Sequence, residues 1–134
     1  MTRTRHIACI DAGTTGCRTI VFSAQGRVVS HAYQEYSSVF LSPTLIEHDP
    51  ATWVNAARDT LVLALGKLPR LERKLAAICV ISQRATLTPV DRKGIPLARA
   101  ILWQDKRATQ QAGWIHRQVG PEFIYRKTGL RIDP

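Results

Sequence analysis

The first residues whose types and spacing could do chemistry are an acid and a loop of glycines and threonines at positions 11–16. Asp11 follows a short apolar run, and Gly13 allows the backbone to approach a bulky anion closely. Thr14 and Thr15 add hydroxyl and amide donors, so the loop can form a nest for phosphate oxygens. Asp11 would hold Mg²⁺ through water, because Mg²⁺ keeps several waters and takes few carboxylates. The pattern predicts a phosphate-handling loop; a hairpin turn rich in small residues is the alternative.

An arginine beyond the loop strengthens the prediction of a phosphate site. Arg18 can reach back over the same phosphates with its planar guanidinium. Phosphoryl transfer needs positioning and charge stabilisation, and these residue types supply both. The sequence contains neither GxxxxGK[ST] nor GxGxxG, so it predicts neither a P-loop nor a Rossmann dinucleotide site.

Length and composition favour one modest globular domain. The chain has 134 residues, of which 45% are hydrophobic, and no apolar run approaches the roughly 20 residues of a membrane span. Its basic start is followed by too short an apolar stretch for a secretory signal, so we expect a cytoplasmic protein without a membrane partner. Three cysteines without CxxC spacing indicate reduced thiols, and four scattered histidines do not suggest a zinc site.

The net charge of +9 raises the question of an anionic partner. The basic residues are spread along the chain, and the densest run, at positions 70–74, is interrupted by an apolar and an acidic residue. Aromatic residues do not alternate with basic ones as they do in proteins that bind single-stranded nucleic acid. We therefore expect a solvated basic surface and no nucleic-acid partner.

The elements that must position the loop begin with three predicted strands. Short runs of β-branched and aromatic residues place these strands at residues 6–10, 18–24 and 27–36, with a tight turn at Gln25-Gly26. This order is an antiparallel meander and not a βαβ unit. Residues 37–48 are predicted to form a loop.

A long helix is predicted after this loop. Asp49 supplies an N-cap, Pro50 suits the first helical position, and Gly66 with Pro69 marks the exit. Helical spacing predicts one apolar face, made by Trp53, Val54, Ala57, Leu61, Ala64, Leu65 and Leu68.

The rest of the chain is predicted to alternate strands and helices. A continuous apolar run at residues 75–81 indicates an interior strand, and a second strand is predicted at residues 97–103. Asp105 could cap a helix with apolar positions at Ala108, Ala112, Ile115 and Val119. Gly120-Pro121 ends that helix and starts a short one that ends near Gly129.

Five collinear motifs together resemble the FGGY family of carbohydrate kinases. They span nearly the whole chain, as Asp-Ala-Gly-Thr-Thr-Gly-Cys-Arg within residues 7–22, and as residues 46–53, 77–84, 100–107 and 128–134. The last of these resembles the glycerol kinase members closely. The resemblance implies an α/β fold of the actin-like, ribonuclease-H-like ATPase class. It would have a mixed sheet with an antiparallel N-terminal meander and flanking helices.

The resemblance also implies a role for each residue of the loop. Asp11 would be the metal-associated catalytic acid. Gly13, Thr14 and Thr15 would contact the β- and γ-phosphates of ATP, and Arg18 would support them.

The same resemblance implies a substrate pocket made by residues later in the chain. Gln83 and Arg84 would line it, with Arg84 bonding substrate hydroxyls. Trp103 would pack against the carbon face of a sugar or polyol, and Asp105 would recognise a further hydroxyl. Alternatives remain for three of them: Arg84 as a surface residue, Trp103 as plain core and Asp105 as a helix cap.

The resemblance implies a function, the ATP-dependent phosphorylation of a sugar or polyol hydroxyl, with ATP and Mg²⁺ as cofactors. Residues 1–134 would form part of the N-terminal domain, without the C-terminal lobe that carries the family's general base. We therefore expect this chain alone to be inactive. A non-catalytic phosphate- or partner-binding fragment is the alternative, and a homodimer is left open.

One departure from the family bears on the substrate. Glycerol kinases have a glutamate directly after the pocket arginine, where this chain has Ala85. A site without a buried side chain that accepts a hydrogen bond from a substrate hydroxyl selects differently among substrates. We therefore expect another polyol, or a ketose, rather than glycerol.

Overall fold

The first sheet opens with an antiparallel meander, as the sequence predicts. The structure is a computed structural model, and it describes residues 5–70 and 74–134. Strands β1 (His6–Ala12), β2 (Gly16–Ser23) and β3 (Val28–Glu35) pair as neighbours, each antiparallel to the next. Residues 1–4 of the basic start, and residues 71–73 within the basic run, lie outside the described residues.

A fourth strand joins this sheet beside β1. Strand β6 (Leu75–Ser82) runs parallel to β1, which gives the order β3-β2-β1-β6 and a mixed sheet. The prediction of a strand here is confirmed, but the prediction that it is interior is wrong. Among the described residues β6 forms the edge of the sheet, and every residue after Leu75 is exposed. The apolar run indicates burial on both faces, but no described element covers it.

Helix α1 (Pro50–Gly66) packs on β2 and β3 and, to a lesser extent, on β1. The Asp49 carboxylate accepts from the Ala51 amide at 2.9 Å, so the predicted cap is confirmed. The buried face is narrower than predicted, because small residues bring the helix close to the sheet. Val54 is 70% exposed, so its placement on the apolar face is wrong. The helix residues that are buried are Ala56, Thr60 and Ala64.

The core lies between α1 and the meander. One cluster centres on Ala8 and Val21, and a second on Ile10 and Cys17. Thr60 completes this contact, because its hydroxyl bonds to that of Thr19 across the interface at 2.8 Å. These contacts hold the end of β1, and hence the loop that follows it, against the helix.

The prediction of a loop over residues 37–48 is wrong, because these residues form a β-hairpin. Strands β4 (Val39–Ser42) and β5 (Leu45–His48) pair antiparallel, and β5 pairs with β7 (Ala100–Ile101). Pro43 lies at the turn, where a proline does not interrupt the pairing. The strand predicted at residues 97–103 is reduced to the two residues of β7.

Two short helices end the described chain. Helix α2 (Thr109–Gln118) has Ala108 at its N-cap, so the prediction that Asp105 caps it is wrong. Helix α3 (Pro121–Thr128) begins and ends as predicted, and Gly129 closes it at a φ of 70°. Neither helix buries a residue. Among the described residues, no helix combines the length and apolarity needed to cross a membrane.

Candidate functional site

The predicted phosphate loop is a tight bend between β1 and β2. The Gly13 amide donates to the Gly16 carbonyl at 3.0 Å, and the Tyr36 hydroxyl donates to the Gly13 carbonyl at 2.7 Å. The Tyr36 amide donates to the Thr15 carbonyl at 3.1 Å, which ties the bend to the end of β3. Within the described part of the chain, the amides of Thr14 and Thr15 have no hydrogen-bond acceptor. The loop is therefore held in shape while two donors stay free for an anion.

Asp11 lies at the start of this bend with an exposed side chain. It is opposite Arg18 on β2 and beside Ile81 on β6. Residues 5–70 and 74–134 contain no hydrogen-bond or ion-pair partner for its carboxylate and no cluster of three metal-binding side chains. A single free carboxylate suits Mg²⁺, because water and phosphate oxygens supply most of the ligands of this ion.

Arg18 projects from the same sheet face as Asp11 but stacks on an aromatic ring. Its guanidinium carbon lies 5.4 Å from the centroid of the Tyr33 ring. A Cβ atom on Gly16 would come within 2.6 Å of carbon atoms of that ring, so the second loop glycine is needed for packing. The stack holds Arg18 beside the loop.

Thr14 connects the loop to two predicted substrate residues. The indole Nε1 of Trp103 donates to the Thr14 hydroxyl at 3.1 Å, and that hydroxyl donates to Gln83 Oε1 at 3.1 Å. The Gln83 amide also donates to the Ala12 carbonyl at 3.2 Å. Because a hydroxyl has one proton, Thr14 can donate to a phosphate only by releasing Gln83.

Trp103 is 48% exposed, so it is not plain core. Its ring lies beside the bend, where its apolar face is available to a ligand.

Arg84 is exposed, and the described residues offer its side chain no ion-pair or hydrogen-bond partner. Ala85 follows it with a φ of 55°, the left-handed region that residues other than glycine rarely adopt. Such strained positions concentrate at functional sites.

Asp105 is buried, and its carboxylate is bonded internally. It accepts from the Ile46 amide at 2.7 Å, from the Arg107 amide and Nε at 2.8 Å each, and from Arg107 Nη2 at 2.9 Å. Arg107 Nη2 also contacts Glu47 at 2.9 Å. The bonds to Arg107 lower the pKa of Asp105 to about 2. These four bonds occupy the acceptor positions that a substrate hydroxyl would need; the hydroxyl role of Asp105 stays a prediction.

An aromatic stack that the sequence does not predict lies behind the loop. The Tyr36 ring meets His48 edge-on at 5.0 Å, and His48 stacks on Trp53 at 5.2 Å. Burial raises the pKa of Tyr36 to about 12 and lowers the pKa of His48. At neutral pH the Tyr36 hydroxyl therefore keeps its proton and can donate to Gly13. Local periodicity gave no signal for this contact.

Two depressions among the described residues lie apart from the loop. One depression of about 570 Å³ lies where α3 meets the end of the chain and α2, and it shares no residue with the loop; its lining is His116, Pro121, Glu122, Tyr125, Arg131 and Ile132.

The chain is similar in sequence to known proteins. The sequence model of the FGGY family of carbohydrate kinases, N-terminal domain, matches residues 6–134. A glycerol kinase from Leptospira biflexa is 38% identical over 136 residues, which cover 99% of this chain and 27% of that protein. One from Malacoplasma penetrans is 34% identical over 131 residues, covering 97% of this chain and 26% of that protein.

The same fold occurs in a solved kinase structure. The crystal structure of a xylulose kinase from Rhodospirillum rubrum superposes with a TM-score of 0.90 at 24% identity, covering 96% of this chain and 26% of that one. The chain thus spans about a quarter of the length of the relatives it matches.

Proposed function

Because this chain belongs to the FGGY family of carbohydrate kinases, we propose that it forms the phosphate-binding part of an ATP-dependent sugar or polyol kinase. One observation carries the proposal: Thr14 joins a bend with two free amides to Gln83 and Trp103. A phosphoryl donor at the bend and a hydroxyl compound at Trp103 would then lie side by side. Bringing reactants together in this way is a large part of phosphoryl-transfer catalysis.

The residues of the bend fit a nucleotide's terminal phosphates and their metal ion. The free amides of Thr14 and Thr15 would bind phosphate oxygens, and Arg18 would add a positive charge from the neighbouring strand. Asp11 would hold Mg²⁺ through water, and the ion would neutralise charge on the phosphates. Four internal bonds already occupy Asp105, so Gln83 and Arg84 are the residues we assign to substrate hydroxyls.

We further propose that the substrate is a polyol or sugar other than glycerol. The matched relatives include glycerol kinases, and the fold is shared with xylulose and gluconate kinases. Ala85 offers no side-chain acceptor beside Arg84, and a missing acceptor weakens discrimination in favour of a particular hydroxyl.

Proton removal from the substrate hydroxyl would need a base that this chain does not supply. We infer that the base belongs to the part of a family member that has no counterpart here, and that the chain alone does not turn over substrate. A non-catalytic fragment that retains phosphate affinity is the second candidate, because the free amides of Thr14 and Thr15 could bind phosphate without any base. We place the protein in the cytoplasm, in keeping with three free cysteines.

Backbone amide NMR of the purified chain tests the proposed phosphate site. Adding ATP with Mg²⁺ should shift the amide resonances of Thr14 and Thr15, and Asp11→Asn should weaken the Mg²⁺-dependent part of the effect. Asp59→Asn is the matched control, because Asp59 is on α1 beside Arg58 and away from the loop. Shifts confined to other residues, or equal effects of both variants, would contradict the assignment.

A further inference from the structure

Two of the three free cysteines lie side by side in the first sheet. Cys9 on β1 and Cys79 on β6 are register partners in a parallel ladder. Side chains alternate between the two faces of a strand, and register partners share a face. Because Ala8 and Ile10 belong to the clusters that pack against α1, Cys9 and Cys79 project from the opposite face of the sheet. The fold therefore brings together two thiols that are far apart in the sequence.

The spacing of the strands suits a bond between these two thiols. Neighbouring strands of a sheet lie about 4.7–4.9 Å apart. The Cα atoms of two residues that are joined by a disulfide usually lie about 4.4–6.8 Å apart. The aligned residues Cys9 and Cys79 fall within this range, so a disulfide could form between them without a large movement of the backbone.

The two thiols differ in how readily they can react. Cys79 is exposed, whereas Cys9 is only partly exposed. Burial raises the pKa of the Cys9 thiol, and the neighbouring Cys79 thiol and the charge of Asp11 raise it further. Because the thiolate is the reacting form, a raised pKa makes Cys9 the poorer nucleophile. Exposure therefore suits Cys79 to a first reaction with a reagent from solvent, and Cys9 to a second step inside the protein.

The third cysteine provides an internal comparison. Cys17 on β2 is buried, and its sulfur lies 3.7 Å from the Thr60 hydroxyl of α1. It therefore projects from the sheet face opposite to that of Cys9 and Cys79. Burial is the main reason why the pKa of its thiol is raised. Cys17 should stay reduced under conditions in which the other two thiols react.

We propose that Cys9 and Cys79 form a thiol pair that small-molecule disulfides, such as oxidised glutathione, convert reversibly into a cross-strand disulfide. The Cys79 thiolate attacks one sulfur of the reagent, forms a mixed disulfide and releases one thiol. The Cys9 thiolate then attacks the Cys79 sulfur and releases the second thiol. Two electrons pass from the cysteines to the reagent, and the protons that the cysteines lose end on the two released thiols.

The thiol pair lies close to the candidate site. Asp11 follows Cys9 on the same face of β1. Gln83, which bonds to Thr14 of the loop, directly follows β6. A disulfide here would join the two strands that position this acid and this amide, and disulfides that form in a reducing compartment are usually transient and redox-sensing. The thiol chemistry itself does not depend on the phosphate-site proposal.

Intact-mass analysis of the purified chain during incubation with oxidised glutathione tests the proposal. The wild type should lose two hydrogen atoms and stay monomeric, which marks an internal disulfide. Cys9→Ser should instead gain one glutathione group and stop there, because the thiol of the second step is missing. Cys79→Ser should react at least about tenfold more slowly than the wild type. Cys17→Ser is the matched control and should close its disulfide as the wild type does.

Urea provides a second measurement that needs no substitution. In the unfolded wild type the two thiols are no longer held together, so the mixed disulfide should persist at least about tenfold longer than in the folded chain. Circular dichroism of each variant excludes unfolding as the cause of a difference. A mixed disulfide that persists in the folded wild type, loss of closure in Cys17→Ser, disulfide-linked dimers in place of the monomer, or a Cys79→Ser variant that reacts as fast as the wild type would overturn the proposal.

Discussion

Replacing Asp105 with asparagine tests the buried contact between Asp105 and Arg107. Asp105 is 3% exposed, and its carboxylate accepts four hydrogen bonds, three of them from Arg107. An asparagine has one acceptor oxygen, so its amide nitrogen would face a donor of Arg107 or Ile46. We expect Asp105→Asn to lower the free energy of unfolding at pH 7.

The pKa of Asp105 sets the expected size of this loss. It falls from 3.8 to about 2 on folding, mainly through the side-chain bond to Arg107. That drop corresponds to about 2 kcal/mol of stability. Because the folded pKa lies below the unfolded one, the contribution is complete above about pH 5 and is lost as the pH falls through about 2. The difference between wild type and Asp105→Asn should therefore narrow below about pH 4.

Urea denaturation at pH 7, 5, 4 and 3, followed by circular dichroism, measures this difference. Asp133→Asn is the matched control: Asp133 pairs with Lys106 at 3.0 Å but its side chain is 74% exposed, so its loss should cost under about 1 kcal/mol. Equal stability of Asp105→Asn and wild type at pH 7, or a difference unchanged down to pH 3, would refute the reasoning.

Two further predictions concern how the loop is held. Gly16→Ala should cost about 1–3 kcal/mol in urea denaturation, because its Cβ would meet the Tyr33 ring; Gly66→Ala, with open space around its Cβ, is the control and should not destabilise. Tyr36→Phe should cost about 1 kcal/mol and speed hydrogen exchange in the loop, because the bond to the Gly13 carbonyl is lost. Wild-type stability of Gly16→Ala, or unchanged loop exchange in Tyr36→Phe, would contradict these contacts.

Much of the fold could be predicted because its signals are local. Alternating apolar residues and a Gln-Gly turn determine the meander, and Asp49-Pro50 determines where α1 begins. The hairpin at β4 and β5 was missed because its strands are only four residues each, and the strand that pairs with β5 on its other side, β7, lies far along the chain. The predicted buried face of α1 is too wide, because helical periodicity alone does not show how closely the helix packs on the sheet.

By itself, the sequence determined that an acid and a Gly-Thr bend follow the first strand, because strand, turn and residue type are adjacent in the chain. The tertiary structure alone decided what each side chain does there. Thr14 meets Gln83 and Trp103 across 69 and 89 residues, and Asp105 meets Ile46 across 59. The physical reason is that a carboxylate, a hydroxyl or an apolar strand acts according to its neighbours in space. The packing of separate segments chooses those neighbours, so no local pattern encodes them.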